Sequence, residues 1–162
     1  TGNPTLYLNY VGPLRGDLSS RFIKTDFTRA ELLLFPSVEA SLQTPYSDCQ
    51  GRSETLPAYS LEEILAEKLC ALLARTEPRD LYDIHYLLIH RLVDVEAVSF
   101  RLDEKMAYKE LEQGDLKNVL ARKRDTLNRL WQPRLSGQMP DLPHLDEVIR
   151  ETQQGLRQGG LI

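Results

Sequence analysis

The periodicity of the chain changes at Ser60. Before it, short apolar runs alternate with polar residues or stop at Gly and Pro; after it, apolar residues recur at three- and four-residue spacing almost to the C-terminus. Strands first and helices after leave few architectures open, and an α+β layout is expected. The boundary is placed so that 1–58 form a sheet region and 59–162 a helical region.

In the first region, residues 6–10 are aromatic and aliphatic, bounded by Pro4 and Gly12-Pro13. Residues 22–27 alternate apolar and polar. Residues 32–35 are an apolar run closed by Pro36. All three read as strands, and 43–58, with two prolines, as loop with one short strand. In the second region Ser60 and Glu63 have capping-box spacing, which predicts a helix over 61–75. Pro78 suits a first helical position and opens a helix over 78–91. Two helical stretches between 100 and 131 break near Gly114-Asp115. Residues 132–143, with Pro133, Gly137, Pro140 and Pro143, read as loop. A last amphipathic helix over 144–157 is expected to fray at its Gly-rich end.

Composition removes several classes. No apolar run approaches the roughly 18 residues of a membrane-spanning helix. Cys49 and Cys70 cannot make a disulfide framework, nor a four-ligand zinc site with His85, His90 and His144. No signal-peptide pattern is visible, so a cytoplasmic protein is expected. The first residue is Thr1, and the reading is of a piece of a longer chain. The net charge is 20 − 24 = −4, unevenly spread: 9 − 14 = −5 over 1–99, 9 − 6 = +3 over 100–134, and 2 − 4 = −2 over 135–162. The basic part, with Lys117, Arg122, Lys123, Arg124 and Arg129, is either a solvated helix face or a seat for a phosphate backbone.

Three sets of residues break the apolar pattern. At 100° per residue with Leu61 at zero, Leu61, Ile64, Leu65, Leu69 and Leu72 form one arc; Lys68 falls near its centre at about 340° and Arg75 at about 320°. Lys68 then either snorkels along its stem or meets an anion. Cys70, at about 180°, faces away from that arc. On the second helix, with Arg79 at zero, Asp80 lies inside the apolar arc at about 100° and Asp83 on its edge at about 40°. Asp80 suits the first turn of a helix, where an acid complements the dipole, and Asp83 is spaced to pair with Arg79. A buried carboxylate needs a partner, which leaves structural and functional roles both open. On the strand over 22–27, Lys24 and Asp26 share a face, as a local charge pair or as a carboxylate presented from a sheet. Gly-rich phosphate loops and G-x-S-x-G are absent. His85, His90 and His144 lack metal spacing and read as structural or surface residues. Leu127 and Trp131 read as core.

The stretch from Tyr59 through Lys68-Leu69-Cys70-Ala71 to Arg75, followed by Pro78-Arg79-Asp80-Leu81-Tyr82-Asp83, resembles the AbiEii/AbiGii family of nucleotidyltransferase-like toxins. That family carries a Lys-Leu-x-Ala helix, an Arg near its end and an Arg-Asp-x-x-Asp segment opening the next helix. Ile23-Lys24-Thr25-Asp26-Phe27 resembles its strand bearing a single aspartate, and Trp131 with the last helix resembles its C-terminal region. The resemblance implies a small nucleotidyltransferase-like sheet followed by a helical bundle. It implies transfer of a nucleotide from an NTP to an RNA or protein acceptor, in a toxin–antitoxin or phage-defence setting with a cognate antitoxin. Asp26, Lys68 and Asp80 would be catalytic: Asp26 as a Mg²⁺ ligand, Lys68 on the triphosphate, Asp80 orienting Lys68 or the acceptor. Lys24, Arg75, Arg79 and Asp83 would support substrate binding. The family's Gly-Ser turn and Asp-x-Asp strand do not occur in 1–162. The expectation is therefore of an inactive piece of such an enzyme, or of a non-catalytic remnant that binds a partner protein. An open sheet edge also invites self-pairing into a homo-oligomer.

Overall fold

In the computed structural model the described residues are 3–11, 21–42, 54–112 and 116–162. The expected loop over 43–53, Cys49 and the break near Gly114-Asp115 lie outside them. The fold is α+β, and the described residues form antiparallel strands in two small sheets followed by five helices. The chain divides into two compact units, Thr1–Leu32 and Leu33–Ile162.

The first unit is built on β1 (Thr5–Asn9) and β2 (Phe22–Asp26), paired antiparallel in the register Thr5↔Asp26, Tyr7↔Lys24 and Asn9↔Phe22. Alternation puts Leu6, Leu8 and Ile23 on one face and Tyr7, Phe22, Lys24 and Asp26 on the other. Tyr7 and Phe22 meet edge to face, with ring centroids 5.2 Å apart.

The second unit opens with a correction. The apolar run 32–35 is not a strand. Leu34 is buried in a bend, and the amides of Leu34 and Phe35 donate to Glu63 Oε2 at 2.7 and 2.9 Å. A carboxylate thus takes the donors that a sheet would have used. The strands here are β3 (Val38–Ser41) and β4 (Thr55–Ala58), antiparallel with Val38 opposite Ala58. Five helices follow: α1 (Leu61–Ala74), α2 (Pro78–Ile89), α3 (Val95–Tyr108), α4 (Leu116–Leu135) and α5 (Leu145–Gln158).

Their starts follow local signals. Ser60 Oγ accepts the Glu63 amide at 3.2 Å, Pro78 opens α2, and Asp94 caps α3 through the Ala97 amide at 3.0 Å. The capping box is only half formed, because the Glu63 side chain turns into the core instead of back to Ser60. Pro133, expected in a loop, sits inside the C-terminal part of α4. The end of α5 is fastened, not frayed. Leu161 donates to the Leu156 carbonyl and Gly160 to that of Arg157, with Gly160 at φ +74°, and Ser99 Oγ holds the Gly160 carbonyl at 3.1 Å.

The core is the interior of this bundle, with Leu65, Leu69, Leu81, Ile84, Val98, Val119, Leu127 and Val148 all at 0% exposure. Helices α2 and α5 approach closely at Gly155, where an added Cβ would lie 3.1 Å from the Leu88 side chain. Trp131 Nε1 donates to the Pro143 carbonyl at 2.9 Å and ties α4 to the lead into α5.

The buried face of α1 differs from the expected arc. Leu61 is exposed, while Glu63, Ala66 and Cys70 are buried with Leu65, Leu69 and Leu72. The inward face is therefore centred near 110° on the same wheel, and Lys68 sits on its rim. Two residues mislead the pattern. Glu63 looks outward by type but finds Lys105 of α3 inside, and Cys70 behaves as a small apolar residue.

Candidate functional site

The hinge between α1 and α2 is three residues long, so the last two turns of α1 face the first two turns of α2. From α1 comes Lys68, and from the hinge Arg75. From the first turns of α2 come Asp80, fixed by its place after Pro78, and Asp83 one turn on. Asp80 is fully buried, where the wheel places it. Arg75 grips it with two bonds, Nε to Oδ2 at 2.8 Å and Nη2 to Oδ1 at 3.2 Å. Lys68 Nζ reaches Asp80 Oδ1 at 3.3 Å and Asp83 Oδ2 at 2.5 Å.

Burial pushes the Asp80 carboxyl up, but the hydrogen bonds and charge of Arg75, joined by Lys68, outweigh it and hold the group below the usual carboxylate range. Asp80 thus stays an anion inside the protein and serves as the anchor. Arg75 and Asp83 are the more open members of the cluster, with side chains 52% and 41% exposed, and Lys68 keeps 25% exposure. Its ammonium is held by the two carboxylates. Such an arrangement presents a fixed positive charge to an incoming anion.

Arg79 does not join the cluster. It is exposed and lines a small cleft with Glu77, Arg134, Leu135 and Gln138. The i,i+4 pairing of Asp83 with Arg79 is replaced by the Lys68 contact, a correction that the neighbouring helix imposes.

Lys24 and Asp26 lie in the other unit, at the end of β2. Lys24 Nζ meets Asp26 Oδ2 at 2.9 Å, and Thr5 Oγ1 donates to Asp26 Oδ1 at 2.6 Å. The Thr5 hydroxyl, then Lys24, hold the Asp26 carboxyl below its ordinary range, and the Asp26 hydrogen bond raises Lys24. As to Mg²⁺, Asp26 offers one carboxylate with both oxygens engaged. Among the described residues no group of three or more His, Cys, Asp or Glu side chains could hold a metal ion. These residues by themselves do not make a Mg²⁺ shell.

Two buried polar networks escape the sequence reading. Lys105 of α3, fully buried, contacts Glu63 and reaches Glu67 at 2.5 Å, and Lys109 meets Glu67 at 2.8 Å. Burial lowers Lys105, but its bonds to Glu63 and Glu67 prevail and raise it. His85, buried on α2, bonds Glu151 of α5 at 2.8 Å, which holds the Glu151 carboxyl below its usual range. The signal available for the first was Glu63 with Lys105, one unmatched charge on an otherwise apolar face of each helix.

The basic segment divides as well. Lys123 Nζ donates to the carbonyls of Leu72, Leu73 and Arg75, and Arg124 pairs with Asp146 at 2.7 Å. Among the described residues no helix is long and apolar enough to cross a membrane.

A family model described as "Nucleotidyl transferase AbiEii toxin, Type IV TA system" matches residues 2–152, nearly the whole chain. Neither the curated proteins nor the solved structures give a significant match.

Proposed function

Because this chain belongs to the AbiEii nucleotidyl transferase toxin family of type IV toxin–antitoxin systems, we propose that its Lys68–Arg75–Asp80–Asp83 cluster is the phosphate-facing part of a site that transfers a nucleotide from an NTP to an RNA or protein acceptor. The carrying observation is Lys68, a part-exposed side chain whose ammonium is oriented by the buried, doubly gripped carboxylate of Asp80.

The chemistry asked of these residues is modest. Phosphoryl and nucleotidyl transfers are accelerated mainly by positioning and charge stabilisation. Lys68 would meet a non-bridging phosphate oxygen as a point charge. Asp80 would keep it aimed, and Arg75 would keep Asp80 ionised. Asp83 would yield part of its contact with Lys68 when phosphate arrives. Asp26 is proposed as a carboxylate of the same enzyme, with Lys24 beside it, and Arg79 as a supporting cation on the approach to α2. With no Gly-Ser turn and no Asp-x-Asp in 1–162, the reading expects these residues alone to bind nucleotide and not to transfer it.

A second reading has one observation in its favour: Lys68 and Arg75 balance Asp80 and Asp83 charge for charge. A neutral cluster suits a remnant that holds two helices together and docks a partner protein. Isothermal titration of GTP, CTP, UTP and ATP with Mg²⁺ separates the two. The proposal expects binding by the wild-type chain and a loss of at least about tenfold in Lys68→Ala, the cost of one charge-assisted contact. No binding by the wild type, or equal binding by the variant, favours the remnant.

A further inference from the structure

We infer that Lys123, in α4, is a positioning residue for this site: it fixes the backbone of Arg75 and through it the Arg75–Asp80–Lys68 chain. The inference rests on the reading of that cluster as a nucleotide site.

The argument begins with how helices end. α2, α3 and α5 each close on their own backbone, with the six-to-one and five-to-two bonds of a left-handed cap at Arg91, Glu110 and Gly160. α1 does not. Its last turn holds no basic residue, and its C-cap, Arg75, is extended at φ −137° and ψ 169°. The free carbonyls at this end need donors from elsewhere. Lys123 supplies them, with Nζ at 2.6 Å from the Leu72 carbonyl, 2.9 Å from Leu73 and 2.8 Å from Arg75. An ammonium has three protons, and three carbonyls converge on it. The positive charge also sits at the negative end of the α1 dipole.

The Arg75 contact separates positioning from simple capping. Arg75 lies beyond the helix, so the helical ladder holds only its amide, which donates to Ala71. Its carbonyl is held from α4. With both ends of the residue fixed, its guanidinium can keep the two-bond grip on Asp80 that in turn orients Lys68. Remove the Lys123 ammonium and the carbonyl turns to water. The residue then regains rotation, and the grip loosens although no group of the cluster has been altered.

The experiment follows the Arg75 Nε–H signal in ¹H–¹⁵N spectra at neutral pH, assigned by its loss in Arg75→Lys, together with GTP titration in the presence of Mg²⁺. In Lys123→Met the stem stays and the donors go. Exchange of the Arg75 Nε–H is expected to rise about tenfold and GTP affinity to fall about tenfold, the scale of one hydrogen bond to a charged group. Lys123→Arg, which keeps charge and donors, is expected to stay within about twofold of wild type in both. An unchanged Arg75 signal in Lys123→Met overturns the inference, as does a changed signal with unchanged affinity. If Lys123→Met fails to fold, Lys123→Gln is read in the same way, and unchanged exchange there is equally decisive. A wild-type chain that binds no nucleotide sinks the proposed function instead, and the Arg75 signal still decides whether Lys123 holds that residue in place.

Discussion

Replacing Asp80 by asparagine tests the physical core of the site without reference to any substrate. The amide has nearly the volume of the carboxylate, so no cavity opens. What disappears is the charge and one acceptor oxygen. The NH2 that replaces it cannot accept, so either the Arg75 Nε bond to Oδ2 or the Arg75 Nη2 and Lys68 bonds to Oδ1 are lost, and those that remain are no longer to a charged acceptor. A hydrogen bond to a charged group contributes about 1.5–3 kcal/mol when buried. Arg75 is half exposed and Lys68 a quarter exposed, so solvent screening brings the total for Asp80→Asn to about 2–3 kcal/mol. For a chain of this length, 1 kcal/mol corresponds to about 2–4 °C, and the melting temperature should fall by roughly 5–10 °C.

The pH dependence gives the sharper test. Asp80 holds its carboxyl below the ordinary range in the folded state. Its contribution is therefore fully present above the unfolded carboxylate pKa and is lost as pH falls through the folded one. Urea unfolding of the two proteins should show a constant gap from pH 7 to pH 5 that narrows toward pH 3. A variant within about 1 kcal/mol of wild type at pH 7 would refute the argument. So would a gap that stays the same down to pH 3.

Two further perturbations probe other parts of the fold. Lys105→Met removes the ammonium from a buried contact and leaves Glu63 held by the Leu34 and Phe35 amides, which should cost about 3–5 kcal/mol in urea unfolding at pH 7; a loss under about 1 kcal/mol would mean that the buried pair contributes little. Arg91 sits at φ 50° in the left-handed cap of α2, so Arg91→Gly should raise stability by about 0.5–1 kcal/mol, and a lower melting temperature would show that its side chain matters more than the backbone strain.

Three lysines of this chain show how little residue type says about role. Lys68 lies at a helix rim between two carboxylates, and its exposure lets it face a ligand. Lys105 is sealed between Glu63 and Glu67, where its charge is matched and out of reach. Lys123 caps a helix that has no cap of its own. Each begins as a cation on a helix. Proximity in the fold separates a part-exposed ion pair at a helix rim from a core ion pair and from a backbone clamp.

What the sequence determined by itself is the part governed by neighbours three or four residues away. Ser60 starts α1 because its hydroxyl takes the Glu63 amide, and Pro78 starts α2 because its fixed φ suits the first turn. The same range places Asp80 on the inner side of α2, since a rotation of 100° per residue is set by the backbone alone. The Lys68, Arg75 and Arg79-Asp80-x-x-Asp83 spacing was legible for the same reason: two helices and a three-residue hinge carry all of it. Only the tertiary structure decided which groups these residues meet. Leu34 and Phe35 gave their amides to a carboxylate 29 and 28 residues away instead of to a strand. Glu63 turned inward because Lys105 waits 42 residues on, and the cap of α1 came from 48 residues beyond Arg75. A buried charge or an uncapped carbonyl specifies that a partner must exist, since leaving it unmet is costly. It does not specify which partner, because that depends on how the helices pack.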